Sequence, residues 1–203
     1  GGCDNNYTIA TVNGTLTVGK ATITATADDK SRSYGDANPV FTFSYTGFKN
    51  SETATVLDAV PTASTTATTA TNVGTAIITA AGGSDNNYTI ATVNGTLTIG
   101  KANQTINFGT LANKDTADAD FNLSATSSSG LAVSFASSDF SVATIFGNTV
   151  TIVGAGTTVI RASQAGNSNY NAATDEVQGL TILDTTKPKI FEVSSASGTD
   201  KTY

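Results

Sequence analysis

The sequence has no histidine, tryptophan or methionine and only one cysteine, Cys3, among its 203 residues. Without histidine, neither a Ser-His-Asp triad nor a Cys-His pair can form. One cysteine cannot make an internal disulfide, and it cannot supply the Cys and His clusters that bind zinc. We therefore expect that the chain is not an enzyme and has no cofactor, with calcium as the one alternative considered below.

Charge is scarce as well, since 13% of the residues are charged and the formal net charge is -6. The ten basic residues are scattered and form no stripe that could neutralise phosphates, so we expect no nucleic-acid partner. No apolar run approaches the roughly 20 residues that span a bilayer, and no signal peptide begins the sequence. We expect no membrane insertion in this segment and place any targeting signal outside it.

Threonine is abundant, at about a fifth of the residues, and Asn, Gly, Asp and Ser are frequent. Threonine and valine favour strands, whereas Asn, Gly, Asp and Ser favour turns. Good helix formers are few. The composition predicts an all-β protein.

The first 21 residues return 81 positions later. Residues 1–21 and 82–102 differ only at Cys3 versus Ser84 and at Val18 versus Ile99. A period near 80 is too long for a solenoid unit of roughly 20–50 residues and fits a small β-sandwich domain. The repeat predicts an array in which residues 1–20 are the C-terminal hairpin of a preceding copy and residues 21–102 are one complete copy.

Alternating residues predict about seven strands in residues 21–102, with Phe41, Phe43 and Tyr45 on the face assigned to the core. Residues 28–38 are polar and are predicted to be a loop. Asn94-Gly95 is a strong hairpin signal between the last two strands, and Asn13-Gly14 repeats it. The predicted strands cover residues 21–27, 40–45, 75–80, 88–93 and 96–99, and residues 54–60 and 62–71 are predicted to be weaker strands or extended edges.

Residues 103–183 also predict about seven short strands, separated by glycine turns. Residues 184–203 are predicted to be a linker and the first strand of a following domain, at 189–194, because Pro188 interrupts strand pairing. The predicted fold class is therefore all-β, with tandem Ig-like β-sandwich domains in an extended array. The strands predicted here cover residues 105–108, 121–125, 131–136, 141–145, 149–153, 157–162 and 180–183.

Residues 21–102 carry a set of short motifs that resembles the MBG family of bacterial extracellular repeats. That family usually has an aromatic residue after its Val-Gly-Thr motif, where this chain has Ala76. The resemblance implies a β-sandwich repeat of a secreted or cell-surface bacterial protein. The matching motifs are Tyr34-Gly35-Asp36, Asn38-Pro39, Tyr45-Thr46-Gly47-Phe48, Val73-Gly74-Thr75, Asn87-Tyr88 and Gly95-Thr96-Leu97-Thr98-Ile99.

Residues 103–183 resemble the bacterial Ig-like repeats that often follow such units, and residues 184–203 resemble the start of another extracellular domain. The resemblances imply a non-catalytic spacer, such as an adhesin stalk or an extracellular fibre. A module that binds a glycan or a protein, and an accessory region of a secreted enzyme, are the alternatives. The motifs of the second unit are Gln104-Thr105-Ile106, Ser129-Gly130-Leu131, Val142-Ala143-Thr144, Gly154-Ala155-Gly156-Thr157, Gln164-Ala165-Gly166-Asn167 and Asn169-Tyr170.

Oxygen-rich loops near domain ends are the candidate ligand sites. Asp85 and Asn87 lie in one such loop and Asp184 in another, and calcium prefers oxygen ligands of this kind. Ordinary turns also use Asp and Asn, so turn formation is the competing interpretation. The Tyr34-Gly35-Asp36 string is interpreted as a turn with Gly35 at positive φ and Tyr34 packed on the sandwich.

The two ends are expected to need partners. Residues 1–18 are predicted to form an antiparallel hairpin whose apolar side faces another copy of the chain or stays bare. Residues 189–194 are predicted to be extended and paired with little in their own chain. The expected partners are thus neighbouring domains of the same polypeptide and other copies that use these end strands.

Overall fold

The computed structural model describes residues 6–8 and 10–186. The chain divides into two units, residues 1–100 and 101–203. Both are all-β, and the only helical element in the described ranges is a 3-10 turn in unit 1. No helix found there is long and apolar enough to cross a membrane.

Unit 1 is built from two sheets, a three-stranded sheet in the order β3-β1-β6 and a four-stranded sheet in the order β2-β7-β5-β4. Strands β1 and β5 come from different sheets and contact each other, so the sheets pack face to face as a β-sandwich. The elements are β1 Ala21–Ala27, β2 Lys30–Ser33, β3 Phe43–Thr46, the 3-10 turn Ala54–Val56, β4 Thr62–Ser64, β5 Gly74–Ala81, β6 Tyr88–Val93 and β7 Gly95–Gly100.

Strand alternation places the core of unit 1 between its sheets. Ile78 on β5 and Leu97 on β7 are fully buried, as is Ala27 at the end of β1. Phe41 and Phe43 pack against this cluster, which confirms the face assigned to them from the sequence. The large, fully buried members of this cluster, Ile78, Leu97 and Ile99, come from the four-stranded sheet.

The last two strands of unit 1 are not a hairpin within one sheet. Strand β6 pairs in parallel with β1, and β7 lies between β2 and β5 in the other sheet. The hairpin prediction at Asn94-Gly95 was therefore wrong. A type I′ turn needs positive φ at both central residues, and neither Asn94 nor Gly95 has it. The chain instead crosses from one sheet to the other at this corner between β6 and β7. Asn94 Oδ1 accepts a hydrogen bond of 2.9 Å from Ala80 N there.

The structure also corrects the hairpin predicted over residues 1–18, since no strand lies in residues 6–8 or 10–20. Asn13-Gly14 repeats the sequence of the corner at Asn94-Gly95, which is not a hairpin turn. An isolated pair of strands is in any case marginal in water. Leu16 and Val18 are 87% and 83% exposed, whereas their counterparts Leu97 and Ile99 are 0% and 1% exposed. The origin of residues 1–20 as the tail of a preceding copy stays a prediction.

Two further assignments in unit 1 change. The predicted loop at residues 28–38 contains β2, a polar strand that forms because its backbone pairs in parallel with β7. The predicted strand at residues 54–60 contains the 3-10 turn, because Val56 N and Leu57 N donate to carbonyls three residues earlier. Both changes come from hydrogen-bond partners that local composition does not reveal.

Unit 2 contains sheets in the orders β10-β14-β13, β11-β8 and β12-β15-β16-β9. Its core includes Phe108, Val150, Ile160 and Leu180, and no residue of unit 1 belongs to that cluster. The strand predicted at 189–194 lies outside the described residues. The strands are β8 Ile106–Phe108, β9 Lys114–Asp115, β10 Phe121–Asn122, β11 Ala125–Ser127, β12 Ser134–Ser137, β13 Ala143–Phe146, β14 Thr149–Ile152, β15 Gly156–Ser163 and β16 Glu176–Leu183.

Candidate functional site

A tight turn at residues 49–52 carries one wall of the candidate site in unit 1. Glu52 N donates to the Lys49 carbonyl at 2.9 Å, and Asn50 and Ser51 have φ of 51° and 61°. Two successive left-handed residues closed by this bond form a type I′ turn. Asn tolerates the left-handed region, whereas Ser does so at a cost. The turn orients the Glu52 side chain toward β6.

Tyr88, the first residue of β6, meets this turn. Its hydroxyl donates to Glu52 Oε2 at 2.5 Å and accepts from Lys49 N at 3.0 Å. The ring packs edge-on against Phe48 with centroids 5.3 Å apart, in the geometry that aromatic pairs prefer. The hydrogen bond to the Glu52 carboxylate raises the pKa of the Tyr88 phenol above its ordinary value.

A cavity of about 450 Å³ lies beside this tyrosine. Lys20 borders it and donates from Nζ to the Asp85 carbonyl at 2.8 Å. Lys20 and Lys49 thus both line the cavity, together with the hydrogen-bonded Tyr88 and Glu52. We call it the Tyr88 cavity. Its lining comprises Val18, Gly19, Lys20, Ala21, Lys49, Asn50, Glu52, Asn86, Asn87 and Tyr88.

The Tyr88 cavity offers hydrogen bonding and charge but no nucleophile activated by a base. Its phenol is held protonated by the raised pKa and already donates to Glu52. With no histidine in the sequence, no imidazole can relay a proton here. The arrangement can hold a small polar ligand, and it ties the residues 49–52 turn to the start of β6.

The residues predicted to bind calcium occupy two turns. Asp85 is buried, and its Oδ1 accepts from Asn87 N at 2.7 Å and from Tyr88 N at 2.9 Å. Asp184 belongs to unit 2, where its Oδ1 accepts from Thr186 N at 3.2 Å and Oγ1 at 2.7 Å. In the described ranges no group of three or more His, Cys, Asp or Glu could hold a metal ion. Calcium binding stays a prediction, and the geometry shows how these carboxylates shape turns.

Tyr34-Gly35-Asp36 forms the turn that the sequence indicated. Asp36 N donates to the Ser33 carbonyl at 3.2 Å, and Gly35 has φ of 88°. Tyr34 packs against the core of unit 1, and its backbone N–H donates to Gly100 O at 2.8 Å. The interpretation of this string as a structural turn is confirmed.

Sequence reasoning missed Arg32, which is buried next to that turn. Its guanidinium donates from Nε to Asn38 Oδ1 at 2.8 Å and from Nη2 to the Thr68 carbonyl at 2.5 Å. Asn38 Nδ2 in turn donates to the Ala67 carbonyl at 2.7 Å. The pair clamps the Tyr34 turn to residues 67–69. No sequence signal beyond its position two residues before Tyr34 points to this role, because charged residues are rarely buried.

The Tyr-Gly-Asp turn, the clamp beneath it and the two-sheet sandwich are all contained in unit 1. Residues 23–98 match the family model of the MBG domain (YGX type). The match runs from β1 to β7 and includes Tyr34-Gly35-Asp36, so it agrees with the MBG resemblance of residues 21–102. MBG domains are typical of extracellular bacterial proteins and are not a known enzyme family. Comparison with curated proteins found no match.

The type I′ turn of unit 1 predicts a stabilising substitution. Ser51→Gly removes the side chain that is strained at φ of 61° and is expected to raise the free energy of unfolding by about 0.5–1 kcal/mol. Ser51→Ala keeps the strain and serves as the control, which is expected not to stabilise. Urea denaturation of the full chain measures both variants, and equal stability of the two would contradict the turn geometry.

The raised pKa of Tyr88 predicts a loss of stability at alkaline pH. A raised pKa in the folded state means that the contribution is fully present below the unfolded value of about 10 and is lost as pH rises through the folded value. Melting temperatures measured from pH 8 to 12 are therefore expected to fall more steeply for the wild type than for Tyr88→Phe. Tyr7→Phe, at the exposed equivalent position, is expected to keep the wild-type profile. Parallel profiles for all three would show that the Glu52 bond does not affect stability.

The calcium prediction can be tested by melting the full chain in chelator and in excess calcium. An ion that binds the folded state raises the melting temperature by mass action. If Asp85, Asn87 or Asp184 binds calcium, chelator lowers the melting temperature, and Asp85→Asn or Asp184→Asn removes part of that difference. Identical melting curves in chelator and calcium would remove calcium from these sites.

Proposed function

We propose that the chain is a non-catalytic structural segment of a bacterial surface or secreted protein, in which MBG and Ig-like domains act as spacers in a stalk or fibre. The observation that carries the proposal is the near-identity of residues 1–21 and 82–102. The second of these segments completes an MBG domain. A copy of it directly before that domain is what an array of such domains would contain.

The interior of the two units fits a structural role. Among the described residues, every buried side-chain nitrogen or oxygen has a hydrogen-bond partner. In unit 1, Asp28 accepts from Ser44 Oγ at 2.6 Å and from the Thr42 hydroxyl, which ties the end of β1 to β3. These short polar side chains suit a rigid β-sandwich, because they satisfy buried and edge groups without long flexible arms.

A surface-display experiment tests the spacer proposal. The full chain is placed between an outer-membrane anchor and an antibody epitope on cells with long surface polysaccharide. Antibody binding is expected to match that of a length-matched pair of unrelated β-sandwich domains. It is expected to fall when the insert is shortened to an unrelated single domain. Equal antibody binding with and without the insert would contradict a spacer role.

A binding module is the second candidate, because two aromatic side chains are exposed among the described residues of unit 2. Phe146 is 92% exposed and Phe140 is 69% exposed, and exposed aromatics often contact ligands. Glycan and matrix-protein arrays test this alternative with the wild type and with Phe146→Ser. The spacer proposal expects no saturable binding by either. Saturable wild-type binding that Phe146→Ser abolishes without a change in melting would replace the spacer with a binding function.

A further inference from the structure

The first and last segments of the unit 1 sandwich run side by side in the same direction. Strand β1 pairs in parallel with β6 over six residue pairs, and β2 pairs in parallel with β7 over four. Ala21 lies opposite Tyr88 and Ser33 opposite Gly100, each 67 positions later, so the register is the same in both sheets. The six and four pairs thus form one parallel ladder of ten, which we call the terminal ladder.

Hydrogen bonds continue the terminal ladder where both segments cross from one sheet to the other. Thr96 N donates to Asp29 Oδ1 at 2.7 Å, and these two residues are also 67 positions apart. Just beyond β2, Tyr34 N donates to the Gly100 carbonyl at 2.8 Å. The two segments are therefore bonded to each other from the start of β1 to the residue after β2.

A pull along the polypeptide would reach unit 1 at the two ends of this ladder. The chain enters next to Ala21, at the start of the ladder, and leaves after Gly100, at its far end. Because the segments are parallel, such a pull slides one along the other and loads the backbone hydrogen bonds of the ladder together. A pull on two neighbouring ends would instead break the same bonds one after another.

We propose that unit 1 has a mechanical function, in which the terminal ladder acts as a shear clamp that resists unfolding when the chain is pulled along its length. The inference rests on the proposed function in one respect, since a stalk or fibre is where such tension arises. The surface-display experiment applies no force to the domains. A spacer that lacks this resistance would therefore pass that experiment and fail the one below.

Unit 2 has the same arrangement with fewer pairs. Ala102 pairs in parallel with Tyr170, 68 positions later. Strand β9 at Lys114–Asp115 pairs in parallel with Ile182–Leu183 of β16, at the same spacing. These pairs lie in two separate places along the segments, whereas the ladder of unit 1 is continuous. We therefore expect unit 2 to resist a pull on its two ends less than unit 1 does.

Optical tweezers on the full chain test the direction of loading, with Cys3→Ser and DNA handles on two introduced cysteines. Gly19→Cys with Lys101→Cys pulls on opposite ends of the terminal ladder. Gly19→Cys with Asn86→Cys pulls on its two neighbouring starts and is the matched control. The opposite-end pair is expected to unfold at least about tenfold more slowly at equal force, because several backbone bonds must break in one step. All three introduced positions are exposed, so both pairs are expected to melt alike without force.

Two neighbouring aspartates separate the ladder from the rest of the sandwich. Asp29→Ala removes the bond to Thr96 N within the ladder, whereas Asp28→Ala removes the bonds to Thr42 and Ser44 of the β3 side, outside it. In the opposite-end pull, Asp29→Ala is expected to raise the unfolding rate by about threefold or more, and Asp28→Ala by less.

Unit 2 supplies the comparison within the same chain. Handles on Lys101→Cys and Thr186→Cys load its two ends, and unit 2 is expected to unfold faster than unit 1 at equal force. Three results would overturn the proposal. They are equal unfolding rates of unit 1 in the two pulling directions, an effect of Asp28→Ala as large as that of Asp29→Ala, and a unit 2 that unfolds as slowly as unit 1.

Discussion

Replacing Leu97 with alanine is expected to lower the free energy of unfolding of unit 1 by about 2–5 kcal/mol. Leu97 is fully buried on the central strand of the four-stranded sheet, within the core cluster that includes Ile78 and Ile99. Truncation removes apolar contacts and leaves a cavity that paired strands on both sides prevent from collapsing. For a domain of this size, the melting temperature of unit 1 is expected to fall by about 10 °C or more.

The chain itself supplies the control for this substitution. Leu16 has the same neighbours in sequence, Thr15 and Thr17, but is 87% exposed. Leu16→Ala is therefore expected to change the stability by less than about 0.5 kcal/mol. Calorimetry of the two variants beside the wild type separates burial from sequence context. Equal effects of the two substitutions would mean that residues 7–19 are packed in solution.

Gly95→Ala is the second substitution with a large expected effect. A Cβ at Gly95 would clash with the Ala27 carbonyl oxygen and lie 3.0 Å from its carbonyl carbon. Backbone atoms of a buried strand end cannot move aside as a flexible side chain can. Overpacking of this kind costs about 1–3 kcal/mol, and the contact with backbone places Gly95→Ala at or above the upper end of that range.

Gly14 provides the matched control, because it occupies the equivalent position and a Cβ there would meet nothing within 4 Å. Gly14→Ala is expected to leave the melting of unit 1 unchanged. Urea denaturation measures the difference between the two variants directly. A Gly95→Ala variant as stable as Gly14→Ala would show that the corner between β6 and β7 can open without disturbing the sandwich.

The sequence predicted strands well where side chains alternate and one face is buried. Residues 88–93 are a strand with the predicted bounds, and residues 75–80 fall inside β5. Prediction failed where the partner mattered more than the pattern. Polar β2 forms because β7 offers backbone partners, and the 3-10 turn at Ala54–Val56 closes its hydrogen bonds locally.

The candidate site was predicted only in part. Asp85 was noticed as an oxygen-rich loop residue, and the structure places it as the acceptor for two backbone N–H groups at the start of β6. The Glu52 and Tyr88 pair was not predicted, because its members are 36 residues apart and meet only through the fold. Arg32 was missed for the same reason, since its acceptors at Asn38 and Thr68 lie on other segments.

The sequence by itself determined the all-β class, the 81-residue period and the Tyr-Gly-Asp turn, because composition, repetition and the φ freedom of glycine are local properties. Only the tertiary structure decided whether Tyr-Thr-Ile-Ala-Thr-Val-Asn-Gly-Thr-Leu-Thr becomes two strands or stays without regular structure. Residues 88–98 bury Tyr88 and Leu97 within the sandwich of unit 1. In the identical sequence at residues 7–17, the equivalent side chains Tyr7 and Leu16 are exposed. Burial against partner strands offsets the entropy of ordering the chain, and local sequence cannot supply that burial.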